Sequence, residues 1–219
     1  MGGIVGVIQV KGGAGRSTIA TNLAAIFSEK HSTVLIDCDL PQGTSASWFT
    51  ARQRRAGGTP DNFTLSTAKG HGELVSKVKE LSRTHEFIVI DAPPRLAEIT
   101  RAVLILSHLN LIPLGASAAE IWATNDLLET IGEARKVKSK VDARLVWTRF
   151  RGFTKSAQEL SEAVEKEIPL PEMKVKLGYR VAYSEALARG LSVVEWSDKS
   201  AREEMAALAV EVRSILRGE

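Results

Sequence analysis

Cysteine is almost absent from this chain: Cys38 is the only one in 219 residues. That excludes an internal disulfide and a cysteine-ligated zinc or iron–sulfur centre within one copy. Aromatic residues make up 5% of the sequence, so a core has to be built mainly from aliphatic side chains. No apolar run approaches the roughly 20 residues that a membrane span needs. Met1-Gly2-Gly3 passes directly into Ile4-Val5 with no basic and then apolar leader, so a soluble, cytoplasmic chain is the expectation. The net charge of +3 is too small to argue by itself for a nucleic-acid partner.

What is present is an alternation of short aliphatic runs with longer amphipathic stretches. With 44% hydrophobic and 25% charged residues, the length suits one domain over residues 1–219. The pattern predicts strands at Ile4–Val10, Thr33–Asp37, Phe87–Asp91, Leu109–Leu114, Ala143–Thr148 and Met173–Leu177. It predicts helices at Ser17–Lys30, Gly70–Arg83, Ala118–Lys138, Lys155–Lys166 and Ser200–Arg217. The first, third and fourth strands are nearly continuous Ile, Val and Leu, as parallel strands covered on both faces require. The fold class is therefore α/β, a doubly wound, mostly parallel sheet flanked by helices. Ala56–Asp61 reads as a surface loop.

The strand ending at Val10 leads into Lys11-Gly12-Gly13-Ala14-Gly15-Arg16-Ser17-Thr18 and then a helix. Glycines let the backbone curl until several N–H groups converge on phosphate oxygens, and the helix N-terminus adds the positive end of its dipole. Ser17 is placed to ligate Mg²⁺ and Thr18 to reach an inner phosphate. Taken alone, the segment could also be an ordinary glycine-rich strand–helix turn. The strict pattern G-x-x-x-x-G-K-[ST] fails at Val10 and Arg16.

Two further strand ends carry carboxylates. Leu35-Ile36-Asp37-Cys38-Asp39 puts two at the carboxyl end of a strand, where open α/β sheets bind ligands; capping of the next helix is the structural alternative for Asp37. Phe87-Ile88-Val89-Ile90-Asp91-Ala92-Pro93-Pro94 buries four apolar residues and delivers Asp91, a Walker B candidate that can orient Mg²⁺ through water. The three segments occur in the order that nucleotide binding needs.

Together they resemble the ParA/MinD family of P-loop ATPases, whose variant Walker A motif is Lys-Gly-Gly-x-Gly-Lys-[Ser/Thr]-Thr; only Arg16 departs from it. The resemblance is nearest in layout to short plasmid-partition ParA proteins. It extends through Asn110-Leu111-Ile112-Pro113-Leu114, through Val146-Trp147-Thr148-Arg149, and to Val193–Asp198 before the last helix. It implies an ATP-sandwich homodimer in which Lys11 reaches the other copy's ATP. It also implies a nucleotide site made of Lys11, Gly12, Gly13, Ala14, Gly15, Arg16, Ser17, Thr18 and Arg149, with Lys11, Arg16 and Asp37 in catalytic roles. Asp37 would position the attacking water, and Ser17, Asp37 and Asp91 would serve Mg²⁺. Leu40, interposed before Pro41 where the family has Asp-x-Asp-Pro-Gln, leaves the placement of Asp37 and Asp39 open.

Within that family, iron–sulfur relatives need cysteines that this chain lacks, and tyrosine autokinases carry a tyrosine cluster where this chain has only Tyr179 and Tyr183. The last helix is mixed in charge and has no bulky aromatic, a poor membrane insert; Met205, Leu208, Val212 and Ile215 form an inward stripe. The resemblance then implies a weak ATPase on the nucleoid. It would bind nonspecific DNA and position a plasmid, chromosome region or protein complex with a ParB-like or other adaptor. DNA-contact candidates are Lys138, Lys140, Arg151, Lys155, Lys174, Lys176, Arg180 and Arg189; a solvated basic face is the alternative for each. Two other readings stay open: a nucleotide-gated binding module whose hydrolysis Arg16 blocks, and a MinD-like membrane-cycling regulator. Arginine at that position keeps the charge but is longer, planar and forked, so phosphate binding is expected to survive better than hydrolysis.

Overall fold

The computed structural model describes residues 2–40, 42–58, 61–94, 97–115, 117–152, 159–160, 162, 164 and 166–219. Six strands form one sheet: β1 (Gly3–Val7), β2 (Thr33–Asp37), β3 (Phe63–Thr67), β4 (Phe87–Asp91), β5 (Leu109–Gly115) and β6 (Ala143–Thr148). Their order is β3-β2-β4-β1-β5-β6, and every pairing is parallel. The helices are α1 (Arg16–Ser28), α2 (Thr44–Ala56), α3 (His71–Leu81), α4 (Ala97–Leu106), α5 (Ala118–Val137), α6 (Val181–Ala188) and α7 (Lys199–Arg217).

Strand residues point alternately to opposite faces, and the aliphatic runs exploit this by feeding two cores. Val5, Val7, Leu35, Val89 and Leu111 pack with α1, α2, α6 and α7. Val34, Ile36, Ile88, Ile90 and Ile112 pack with α3, α4 and α5. The doubly wound expectation holds, and the sheet is wholly parallel. The stripe expected on the last helix is the one that packs: Met205, Leu208 and Val212 are buried and Ile215 lies against the same core. Asp198 caps this helix, its carboxylate accepting from the Ala201 N–H at 2.9 Å.

Several elements differ from expectation. The stretch 173–177 is not a strand. It runs beside β6 through isolated bridges, Leu145 with Glu172 and Phe150 with Gly178, with the Met173 and Leu177 N–H groups donating to Leu145 and Trp147 carbonyls at 2.8 Å each. The sixth strand is instead β3, whose Phe-Thr-Leu-Ser-Thr is too short and mixed to stand out by periodicity. α2, α4 and α6 are additional helices; α2 is largely polar, and buries Trp48 and Phe49 through two residues only among its apolar side chains. β1 ends at Val7, three residues before the expected Val10, because Gln9 and Val10 already belong to the loop. Of the helix expected over 155–166, residues 159, 160, 162, 164 and 166 are helical, while Lys155 lies outside the described residues. Among the described residues no helix is long and apolar enough to cross a membrane.

Candidate nucleotide site

The loop between β1 and α1 opens at the carboxyl end of the sheet, beside the strand order's reversal between β4-β1 and β5, the place where open α/β sheets take ligands. Gly13 and Gly15 have φ of 75° and 102°, conformations that L side chains rarely adopt. Gly15 is the N-cap of α1 and no side chain caps that end, so the first N–H groups of the helix face outward as an anion cradle. A cavity of about 460 Å³ lies over it, lined by Gly12, Gly13, Arg16, Ser17, Thr18 and Asp39 among others. A second cavity of about 270 Å³ adjoins it, sharing Gly13, Gly15 and Thr18, with Thr148, Arg149 and the 177–181 segment as its walls. The first is the more polar, as phosphates require, and the second the more apolar, as a base requires. Thr148 donates to the Ala14 carbonyl at 3.0 Å, tying the end of β6 to the loop.

Arg16 is 7% exposed and folds inward. Its Nε donates to the Ala92 carbonyl at 2.9 Å, and Nη1 donates to the Gln9 and Lys11 carbonyls at 2.6 and 2.7 Å. Nη2 stands 3.8 Å from the Asp39 carboxylate. Burial lowers the guanidinium pKa, with Asp91 and Asp39 opposing that shift.

The two aspartates of β2 divide their work. Asp37 is fully buried; one carboxylate oxygen accepts from the Asp39 N–H and the other from the Ala46 N–H, both at 2.9 Å. It thus binds the first turn of α2, the structural alternative that sequence left open. Asp37 does not line the phosphate cavity, whereas Asp39 does. Burial raises the Asp39 pKa, and Arg16 opposes this. Of the two carboxylates before the interposed Leu40, Asp39 is the one that lines the cavity.

Asp91 is 1% exposed. Its Oδ2 accepts from the Ser45 hydroxyl at 2.7 Å, and its Oδ1 has no hydrogen-bond partner among the described residues. Burial pushes its pKa up to about 6, with the Ser17 and Ser45 hydroxyls pulling it down and Asp37 raising it further. An orphaned buried carboxylate oxygen beside the Ser17 hydroxyl fits a hydrated Mg²⁺ held chiefly by phosphate, serine and water. Among the described residues no cluster of three or more His, Cys, Asp or Glu could hold a metal on its own, and a Mg²⁺ bound in this manner needs none.

Sequence reasoning passed over Glu120. Its side chain, 5% exposed, lies at the first turn of α5, with Oε1 accepting from Arg149 Nη2 at 2.6 Å and 3.8 Å from Lys11 Nζ. Its Oε2 accepts from the Gly115 N–H. One buried carboxylate thereby joins the lysine of the phosphate loop to the arginine on the base side. Arg149 itself has φ 52°, a strained value for a side-chain-bearing residue. Gln9, 2% exposed, completes the floor: its amide donates to Thr124 Oγ1 and the Pro113 carbonyl at 3.0 and 3.1 Å. The only signals in the sequence are an acid after a small-residue loop and a glutamine ending an aliphatic strand.

The DNA-contact candidates scatter in their settings. Lys138 donates to the Ile105 and Ser107 carbonyls at 2.9 and 2.7 Å, holding the end of α4. Arg180 makes a forked pair with Glu204. Lys176 lies over Trp147 and Phe150, Arg189 over Trp196 and Arg151 over Tyr179. Lys140 and Lys174 are exposed, and Lys155 lies outside the described residues.

A parallel sheet with a glycine-rich loop at the end of its first strand, a capless helix N-terminus behind it, and a buried acid on the neighbouring strand define a phosphate-loop nucleotide-binding protein. Residues 5–193 match the CobQ/CobB/MinD/ParA nucleotide binding domain. The chain is 31% identical over 206 residues to the maintenance of carboxysome distribution protein A of Gloeobacter kilaueensis, covering 91% of this chain and 88% of that one. It is 29% identical over 190 residues to the protein of the same description from Halothiobacillus neapolitanus, covering 86% and 85%. Among solved structures, an ATP complex of a Cyanothece McdA variant superposes with a TM-score of 0.79 at 18% identity, covering 95% of each chain. The chain belongs to the ParA/MinD family of P-loop ATPases.

Proposed function

We propose that this chain is a weak ATPase that positions a cargo along DNA. ATP and Mg²⁺ bring two copies together; the dimer binds DNA without regard to sequence; and an adaptor on the cargo stimulates hydrolysis and releases it. The observation that carries the reading is the site itself, an anion cradle opposite the orphaned carboxylate oxygen of Asp91. The backbone N–H groups of the loop hold the inner phosphates, Ser17 and Asp91 hold the hydrated cation, and Arg149 and Thr148 flank the base. In this reading Asp39, at the cavity, orients the attacking water, while Asp37 holds the Asp39 and Ala46 N–H groups. Mg²⁺, when bound, offsets charge on the outer phosphates. Lys11 completes the site of the second copy.

The two relatives described by carboxysome distribution favour a protein assembly as the cargo over a plasmid or chromosome region. Residence on the nucleoid follows from DNA binding. A salt-titrated DNA-binding assay with ATP, ADP and no nucleotide tests the reading. Binding should appear with ATP alone and weaken steeply with salt; binding regardless of nucleotide would refute it. A second reading, a nucleotide-gated binding module without turnover, is favoured by one observation: the engagement of Arg16 Nε and Nη1 with backbone carbonyls of its own chain. Single-turnover hydrolysis in the presence of DNA separates the two.

A further inference from the structure

We propose that Arg16 is an internal strut of the phosphate loop, and that one copy of this chain consequently binds nucleoside di- and triphosphates with nearly equal affinity. The inference rests on the nucleotide-binding reading above and deepens it.

An arginine has five N–H donors in a rigid planar fork. In Arg16 the Nε–H is taken by the Ala92 carbonyl, and Nη1 is shared between the Gln9 and Lys11 carbonyls. These acceptors belong to two pieces of chain: Gln9 and Lys11 lie where the chain enters the loop after β1, and Ala92 follows Asp91 at the end of β4. The guanidinium thus pins the loop to the neighbouring strand end. Only Nη2 is left, and Asp39 stands 3.8 Å from it. An outer phosphate seeking Arg16 would have to displace a carboxylate or strip buried carbonyls of their donor, and a buried acceptor left unpaired is costly. A lysine has none of these constraints: its ammonium is compact, turns freely and can make the outer contact.

The consequence concerns which phosphates the monomer senses. Inner phosphates meet the loop N–H groups and the α1 N-terminus, features a diphosphate uses as fully as a triphosphate. With Arg16 committed, the monomer adds little for a third phosphate. Preference for triphosphate then arises when a second copy supplies Lys11, so assembly and nucleotide discrimination become one event.

The test uses the full chain carrying Lys11→Ala, which removes the partner's contribution, with affinities for Mg-ATP and Mg-ADP read by a fluorescent nucleotide. With Arg16 in place the two should agree within about threefold, well under one decade. Adding Arg16→Lys should move the ratio to about tenfold or more in favour of ATP. Without nucleotide, Arg16→Lys should also lower the melting temperature by about 4 °C, as loss of the strut's buried bonds requires. A ratio above about tenfold with Arg16 present, or the same ratio in both proteins, would overturn the proposal. So would an unchanged melting temperature. If the Arg16→Lys protein does not fold, the ratio measured with Arg16 decides. If neither nucleotide binds either protein, the nucleotide-binding reading falls and equal discrimination falls with it, while melting still decides the strut.

Discussion

Around the carboxyl ends of β1, β2 and β4, Arg16, Asp37 and Asp91 are all buried, and their polar atoms are held by backbone or hydroxyl groups with two exceptions: Nη2 of Arg16, which faces Asp39 at 3.8 Å, and Oδ1 of Asp91. From residue 138 to residue 189, the described basic residues lie at or near the surface. There Lys138, Arg180 and Arg189 are engaged by neighbouring groups of the same chain, while Lys140 and Lys174 are exposed. In the first region a charge is informative because burying it without a partner is expensive. In the second, water screens each charge and its presence in sequence says little about use. The lesson is that a candidate charge becomes a site residue through what competes for it.

If that contrast is right, the largest stability effect should come from another buried charge, Glu120 at the start of α5, which sequence did not flag. Glu120→Ala removes the acceptor of the Gly115 N–H and the buried partner of Arg149 and Lys11. It should destabilise the fold by about 2–3 kcal/mol, read by chemical denaturation; a loss under about 0.5 kcal/mol would place Glu120 with the surface charges.

Asp91→Asn comes next. It should weaken Mg²⁺-dependent nucleotide binding by about 10–100-fold, measured as affinity with Mg²⁺ against EDTA. The same variant tests the titration. With its folded pKa raised to about 6, above the unfolded value of about 3.9, Asp91 binds its proton more tightly in the folded state. Without a cation, stability should therefore fall as pH rises from about 4 to 6. Asp91→Asn should flatten that segment of the pH–stability curve. A slope unchanged by the substitution would show that Asp91 does not titrate there.

On the basic flank the expected effects are smaller and separable. Lys140→Ala and Lys174→Ala should each reduce the salt slope of DNA binding by about 1 and leave stability alone. Lys138→Ala should do the reverse, costing about 1 kcal/mol of stability with no change in slope. Equal behaviour of Lys138 and Lys174 would break the comparison. The smallest effect belongs to the exposed pair of Lys199 and Glu203, whose removal should shift stability by under about 0.5 kcal/mol.

The sequence made the phosphate loop, Asp91 and the apolar stripe of α7 legible because each follows a local rule: glycines where φ is positive, an acid at the end of an aliphatic strand, and 3.6-residue spacing. β3 and α6 were not legible because five to eight residues give too short a period to read. α2 hid behind its polar face, with Trp48 and Phe49 alone marking the buried side. The partners of Asp37, Asp91 and Arg16 were out of reach for a different reason. Ala46, Ser45 and Ala92 meet them only after the strands have aligned, and nothing local encodes those distances. The same holds for Glu120, which meets Lys11 across more than a hundred residues of chain.

Sedimentation of the full chain with a non-hydrolysable ATP analogue and Mg²⁺ tests the nucleotide-dimer account most directly. The chain should pass from monomer to dimer with the analogue, remain monomeric with ADP, and fail to dimerise when Lys11 is replaced by alanine. A monomer under every condition, or a dimer indifferent to nucleotide and to Lys11, would contradict the account.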